Sequence, residues 1–315
     1  MIPSWDKGFC KSNLIGQHDL LIKNIIKSKL QDTDAFINST WFECDDDFQN
    51  ILSYNPKRLV FYSGPDWENT QCRRKEYTKF NHDNIIFIGN TEGNFYFSFW
   101  LDFVYENIET FELFNVEEFT PSKHFMCLNR KPHEHRKLLI DKLKNLKNYG
   151  YLSWGGNEPI LLEQDSCITD KTWKDGEYMI DNDVLSLGHH HNWRTHFLNV
   201  VTESVHHTNT FLSEKTLKPI IGKRPFIILG DNKIYNKLHE WGIDTFDDLF
   251  GTGYNDPNYE HRINWVYDSV KKLCKIPIND LSNLYDDIKP RLYKNYDVLH
   301  KQMVLNRQRI KDIEL

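Results

Sequence analysis

The chain has no C-x-x-C pair, which removes a zinc knuckle and a thioredoxin-type redox motif from consideration. Its cysteines, Cys10, Cys44, Cys72, Cys127, Cys167 and Cys274, are scattered and read as reduced thiols of a cytosolic protein. No apolar run approaches the ~18 residues of a membrane span. The opening MIPSWDKGFCKSN lacks the basic stretch and apolar core of an export signal. The expected location is therefore the cytoplasm, with no membrane partner. There is no excess of positive charge either: the formal net charge is −6, so a polyanion partner such as nucleic acid is disfavoured, although a local basic cleft can hide inside that balance. Neither a G-x-S-x-G elbow nor a G-x-x-x-x-G-K-S loop occurs, which leaves serine-hydrolase and P-loop chemistry unsupported.

Apolar and aromatic residues are not lacking. At 39% hydrophobic and 14% aromatic the chain can bury a core, and its 315 residues suit two domains of about 150 each. Its richness in Lys, Asn and Ile suggests an AT-rich genome, as in some viruses and bacteria, so the cytoplasm could be that of a host.

Hydrophobic periodicity gives an alternating order of strands and helices. A helix is expected over Gln17 to Leu30, with Leu20, Leu21, Ile25 and Ile26 inward and Lys23 and Lys27 outward. Strands are expected at Ala35 to Asn38, Arg58 to Tyr62 and Ile85 to Ile88, with a short helix after Asp45-Asp46-Asp47. Phe95 to Ile108 fits strand or helix and is assigned to helix. The polar stretch from Val116 to Lys123 marks the domain junction. The pattern then restarts: a strand at HFMCLNR, a helix from His135 to Leu146, strands at Tyr151 to Trp154, Phe197 to Thr202 and Pro225 to Leu229, and helices at Ser213 to Ile221 and Lys233 to Trp241. From Tyr259 onward the chain reads as helical, with interruptions near Pro277 and Pro290. Alternation of this kind implies parallel α/β construction, in which ligands bind beyond the carboxyl ends of the strands.

Three turns at such strand ends carry chemistry. Asn129 to Arg136 supplies two guanidinium forks, Arg130 and Arg136, suited to a phosphate. Thr202-Glu203-Ser204 follows the next strand. In Ser213-Glu214-Lys215, Ser213 caps a helix, while Glu214 and Lys215 occupy its first turn, where a carboxylate reaches ribose hydroxyls and a lysine with free N–H groups reaches a diphosphate. Read in isolation, the same Glu and Lys are a dipole partner and a solvated cation.

The run VVTESVHHTNTFLSEKTLKPIIGKRPFIILGD resembles the nucleotide-sugar-binding segment of fucosyltransferase-like glycosyltransferases. These enzymes carry a Glu-Asn-Ser-type turn, an aromatic-x-Thr-Glu-Lys helix start and a strand ending in Gly. With HFMCLNRKPHEHR and GIDTFDDLF, the likeness extends to a group of phage and bacterial glycosyltransferases and spans about Phe125 to Arg262. Ser213 stands where the family has Thr, Thr202-Glu203-Ser204 where it has Glu-Asn-Ser, and Gly222-Lys223-Arg224 where it has small residues.

The resemblance implies a GT-B-like α/β fold: two Rossmann-like domains facing across a cleft, with C-terminal helices. It assigns 1–120 to an acceptor-side domain, 121–280 to a nucleotide-sugar-binding domain, and 281–315 to helices crossing back to the first. Glu214 would contact ribose, Lys215 the diphosphate, and Arg130 or Arg136 the diphosphate as well. Transfer from the donor to an acceptor hydroxyl would be inverting and metal-independent, with no cofactor beyond the donor as substrate. Its base would come from the first domain, where Asp66 and Glu68 follow the Arg58 to Tyr62 strand, with His18 and Asp19 as reserves.

A D-x-D pattern at Asp181 and Asp183 and the runs His189-His190-His191 and His206-His207 are weaker candidates, as metal ligands. Two rivals are a glycosyltransferase for modified bases of viral DNA, favoured by a basic patch around Arg73-Arg74-Lys75, and a non-catalytic nucleotide- or carbohydrate-binding module.

Overall fold

The computed structural model describes residues 4–5, 14–38, 50–63, 84–89, 95–111, 119–156, 159–160, 187, 190–204 and 212–314. The chain divides into two compact units, one formed by Met1–Glu106 with Met303–Leu315 and the other by Asn107–Gln302. Both are α/β with wholly parallel sheets.

In unit 1, strands β1 (Ser4–Trp5), β2 (Asp34–Asn38), β3 (Arg58–Ser63), β4 (Ile85–Gly89) and β5 (Phe95–Tyr96) lie side by side in chain order. β2 is buried along its whole length, as expected of a parallel strand covered on both faces. One face packs Ala35, Ile37, Leu59, Phe61 and Phe87 against Ile51. On the other, Phe36 and Tyr62 stack at 6.2 Å and lie under lysines of helix α1 (Leu14–Lys27).

Helix α1 buries Ile26 as expected, with Ile15 and Ile22, but its inward face is rotated from the one expected. Leu20 and Leu21 are 42% and 43% exposed, whereas Lys23 is buried. The reason is that the inward polar groups satisfy one another: Lys23 Nζ lies 2.6 Å from Asp19 Oδ2, and Tyr62 OH donates to Asp19 Oδ1 at 2.8 Å. A paired charge can occupy a core position that an unpaired one cannot. Phe95 to Ile108 contains both elements considered for it, β5 and then helix α2 (Phe99–Glu106).

Unit 2 holds β6 (Lys123–Asn129), β7 (Gly150–Trp154), β8 (His196–Thr202) and β9 (Phe226–Leu229) in the order β7-β6-β8-β9. Its helices include α4 (Glu134–Leu143), α6 (Glu214–Ile221), α7 (Lys233–Trp241) and α9 (Tyr259–Leu273), with α3 (Ile108–Phe111), α5 (His190–Thr195) and α8 (Asp247–Phe250) as shorter pieces. Pro219 lies inside α6, which stays short at eight residues.

The final helix α10 (Asp280–Lys311) runs through Pro290, where a break was expected. A buried stripe of Leu281, Tyr285, Ile288, Leu292 and Leu299 continues past the proline, and its burial outweighs the ~3 kcal/mol that a proline costs inside a helix. The last turns of α10 belong to unit 1. There Asn306 clamps Ser98 through both backbone groups, at 2.7 and 2.9 Å, and Lys29 Nζ donates to the carbonyl of Ile313 at 2.7 Å. Among the described residues no helix is long and apolar enough to cross a membrane.

Asp34 opens β2 with no exposed side-chain surface. Burial alone would raise its pKa, but hydrogen bonds from Arg58 and the Gln31 N–H, together with the Arg58 charge, hold it below the usual carboxylate value. A depressed pKa stabilises the fold above the unfolded value, and that stability is lost as pH falls through the folded value. Asp34→Asn is therefore expected to cost about 2 kcal/mol in urea denaturation at pH 7. The gap from wild type should close below about pH 4; a pH-independent gap would contradict the ion-pair account.

Candidate functional site

The strand order of unit 2 decides where to look. β6 lies inside the sheet, the chain crosses to β7 on one side and then returns to β8 on the other, so the winding reverses between β6 and β8. At such a reversal the following turns leave in opposite directions and open a crevice beyond the strand ends. The sheet of unit 1, whose described strands follow chain order, has no such reversal.

Asn129 closes β6. Its backbone carbonyl accepts from Gly155 N at 2.9 Å, and its side-chain oxygen accepts from Thr202 Oγ1, tying together the ends of β6, β7 and β8. Gly155 is required here by space, because a Cβ at that position would overlap the Arg130 carbonyl. The turn then carries Arg130, Lys131 and Pro132 to His133, at the N-cap of α4. His133 gives the helix no side-chain cap, so the first-turn N–H groups face the crevice end of the sheet without one.

Across from it, β8 runs into Glu203 and Ser204. Glu203 has no exposed surface, and its carboxylate accepts Ser213 N at 3.1 Å, Ser213 Oγ at 2.6 Å and Thr216 Oγ1 at 2.7 Å. The backbone carbonyl of Glu203 accepts from His135 Nε2 at 2.8 Å. Glu203, expected at a strand-end turn that carries chemistry, forms the underside of the α6 start. Ser213 caps α6 as expected, accepting from Lys215 N at 3.3 Å. Glu214 and Lys215 stand on the first turn, with Lys215 Nζ 2.7 Å from Glu214 Oε1.

Arg136 crosses from α4 to β8. It is 3% exposed, and Nη2 donates to the Thr202 carbonyl at 2.9 Å and to Ser204 Oγ at 3.2 Å. Its Nε is buried with no hydrogen-bond partner among the described residues. Burial lowers the Arg136 pKa and the charges of Glu203 and Glu214 oppose that effect, so these three groups share one field. Arg130, half-buried, lies on the turn itself.

Three residues joined to the site carry no sequence motif. The His133 pKa is lowered by burial and then by the positive charges of Arg136, Lys131 and Lys215, so three cations from two helix starts bear on one imidazole. Tyr259, at the first turn of α9, has its pKa raised by burial against the pull of Arg262 and Arg136. Arg262 lies 5.1 Å over the Tyr259 ring. His133 was visible as a member of the Asn129 to Arg136 turn; Tyr259 and Arg262 are too far along the chain for local spacing to link them to it.

The structure thus brings Arg130, Arg136, Glu203, Ser213, Glu214 and Lys215 to one end of one sheet. Asp66, Glu68, Asp181, Asp183, Arg73-Arg74-Lys75, His189, His206 and His207 lie outside the described residues. His191, on α5, is exposed. Of the reserve bases in unit 1, Asp19 is engaged by Lys23 and Tyr62, and His18 Nε2 lies 3.0 Å from Asp102 Oδ2, an oxygen that also receives Arg307. Among the described residues no group of three or more His, Cys, Asp or Glu side chains is arranged to hold a metal. Comparison with protein-family models, with curated proteins and with solved structures returns no match for the chain.

The arrangement offers cations and uncapped helix N–H groups to an anion, on a floor fixed by one carboxylate. Glu203→Ala strips three donors of their buried acceptor, and a loss of about 3 kcal/mol or more is expected in chemical denaturation. Lys215→Ala, on a partly exposed side chain, should cost under about 1 kcal/mol. Equal stability of Glu203→Ala and wild type would refute the capping role.

Proposed function

We propose that the chain is a nucleotide-sugar-dependent glycosyltransferase whose donor diphosphate sits at the β6/β8 reversal. The observation that carries the reading is the convergence of Lys131, Arg136 and Lys215 with the starts of α4 and α6 at that point. Fixed positive charge and helix N-termini are what a leaving diphosphate needs as the glycosidic bond stretches. The match of the Ser213-Glu214-Lys215 helix start to the fucosyltransferase-like pattern narrows a generic phosphate seat to a nucleotide-sugar donor.

In this mechanism Lys215 leaves Glu214 and turns to the diphosphate, which frees the Glu214 carboxylate for ribose hydroxyls. Arg136 stays in place, because its carbonyl contacts hold it, and acts on the diphosphate as a fixed charge. The acceptor hydroxyl attacks the anomeric carbon as the sugar–phosphate bond breaks. Its proton passes to a base from unit 1, for which Asp66 and Glu68 remain the choices. The two units then take the roles of a GT-B enzyme, unit 2 for the donor and unit 1 for a carbohydrate or other hydroxyl acceptor. The cations do the work that a divalent ion does in metal-dependent transferases, so the reaction is proposed to be metal-independent; inversion is proposed from the family resemblance alone.

A thermal-shift panel of UDP-, GDP-, CMP- and dTDP-sugars in EDTA tests this. At about 100 times its dissociation constant the true donor contributes roughly 2.7 kcal/mol, which raises Tm by several degrees at ~2–4 °C per kcal/mol. Lys215→Ala should lower kcat by on the order of 10²-fold while the fold stays intact. A shift seen only with manganese or magnesium and abolished by EDTA would move the donor to the Asp181 and Asp183 reading. Binding without turnover toward any acceptor would favour the non-catalytic module.

A further inference from the structure

The imidazole of His133 has no function assigned so far. It stands at the N-cap of α4 without capping it, and its Nε2 is buried with no hydrogen-bond partner among the described residues. Its imidazole stacks on that of His135 at 5.6 Å, and His135 is itself pinned by the Glu203 carbonyl, so the His133 ring has a fixed neighbour. Next to it, Arg136 is all but fully buried and also keeps an unpartnered nitrogen, Nε. Both atoms stand beside a helix start that has no side-chain cap, so a ligand seated there can supply the acceptors they lack.

We infer that His133 contacts the diphosphate of the bound nucleotide and takes up a proton from solvent as that diphosphate binds. The inference rests on the β6/β8 seat being a diphosphate site. The groups that bear on His133 are Lys131 and Arg136 from its own turn and helix, and Lys215 from the start of α6. Glu203 and Glu214 act on Arg136, as does Tyr259 from α9; His135 stacks on the His133 ring, and Arg262 lies over the Tyr259 ring.

In the free protein, burial and the three cations keep the imidazole neutral at pH 7. A diphosphate brings negative charge into the same field, offsets those cations and accepts a hydrogen bond from the ring. The bound form therefore favours imidazolium. The step is imidazole plus one proton to imidazolium, with no bond to the ligand formed or broken. By linkage, affinity tightens as pH falls between the bound and free pKa values, by up to ~10-fold per pH unit for one proton.

Isothermal titration of the full chain with inorganic pyrophosphate, in buffers of differing ionisation enthalpy between about pH 6 and 8, reads the proton count directly. Wild type is expected to take up more protons per bound pyrophosphate than His133→Gln, by up to about one, because the ligand's own protons are common to both. Following the His133 imidazole by NMR in unsubstituted protein gives a second reading, an upward pKa shift of about one unit or more on adding pyrophosphate. Equal proton counts in the two proteins, or an imidazole indifferent to pyrophosphate, would overturn the role of His133 while leaving the seat intact. Failure of wild type to bind pyrophosphate would overturn the seat and this inference together.

Discussion

The Glu203 carboxylate is buried at the end of β8 and accepts hydrogen bonds from Ser213 and Thr216 at the start of α6. A carboxylate taken out of water costs several kcal/mol, and here hydrogen bonds from three donors and the nearby charge of Arg136 offset that cost. The consequence is positional. α6 cannot slide or tilt without unpairing a buried charge, so Ser213, Glu214 and Lys215 are held at a fixed place beyond the strand. Through its own carbonyl the same residue also fixes His135, and so the first turn of α4. Two helix starts are thereby referred to one residue at a reversal of the sheet, a rigid frame of the kind that electrostatic catalysis requires.

Unit 1 uses paired charges in a related way but toward its own packing. Asp19 with Lys23 and Tyr62 lies against the sheet, while Asp102 gathers His18 and Arg307. Arg307 also pairs with Glu106, and Asn306 beside it on α10 clamps Ser98, so the last turns of the chain act as a structural part of unit 1.

These features explain what could be read in advance. The buried strands were legible because Leu59 to Tyr62 is a continuous apolar run and Phe197 to Val201 is apolar but for Asn199, and the Ser213 cap because a hydroxyl precedes Glu and Lys at a helix start. The role of Glu203 was not, since its partners are ten and thirteen residues away and its pairing is tertiary. Ile26 of α1 was placed inward correctly, but Lys23 was placed outward because apolar periodicity outranked an Asp19–Lys23 pair whose i,i+4 spacing was the available signal. Pro290 marked no break because the sum of buried contacts along α10 exceeds a single missing hydrogen bond. The reversal between β6 and β8 is a property of strand order, which no local window of sequence encodes.

The central claim is that the starts of α4 and α6 together hold a diphosphate. First-turn amides lack intrahelical acceptors and exchange quickly unless a ligand or cap takes their hydrogens. Hydrogen–deuterium exchange of the full chain, compared with and without saturating UDP or GDP, reads them directly. The account requires slowed exchange in the peptides covering Glu134–Arg136 and Glu214 together, in the presence of EDTA. A nucleotide that binds while leaving both helix starts unchanged, or that protects only residues of unit 1, would contradict it.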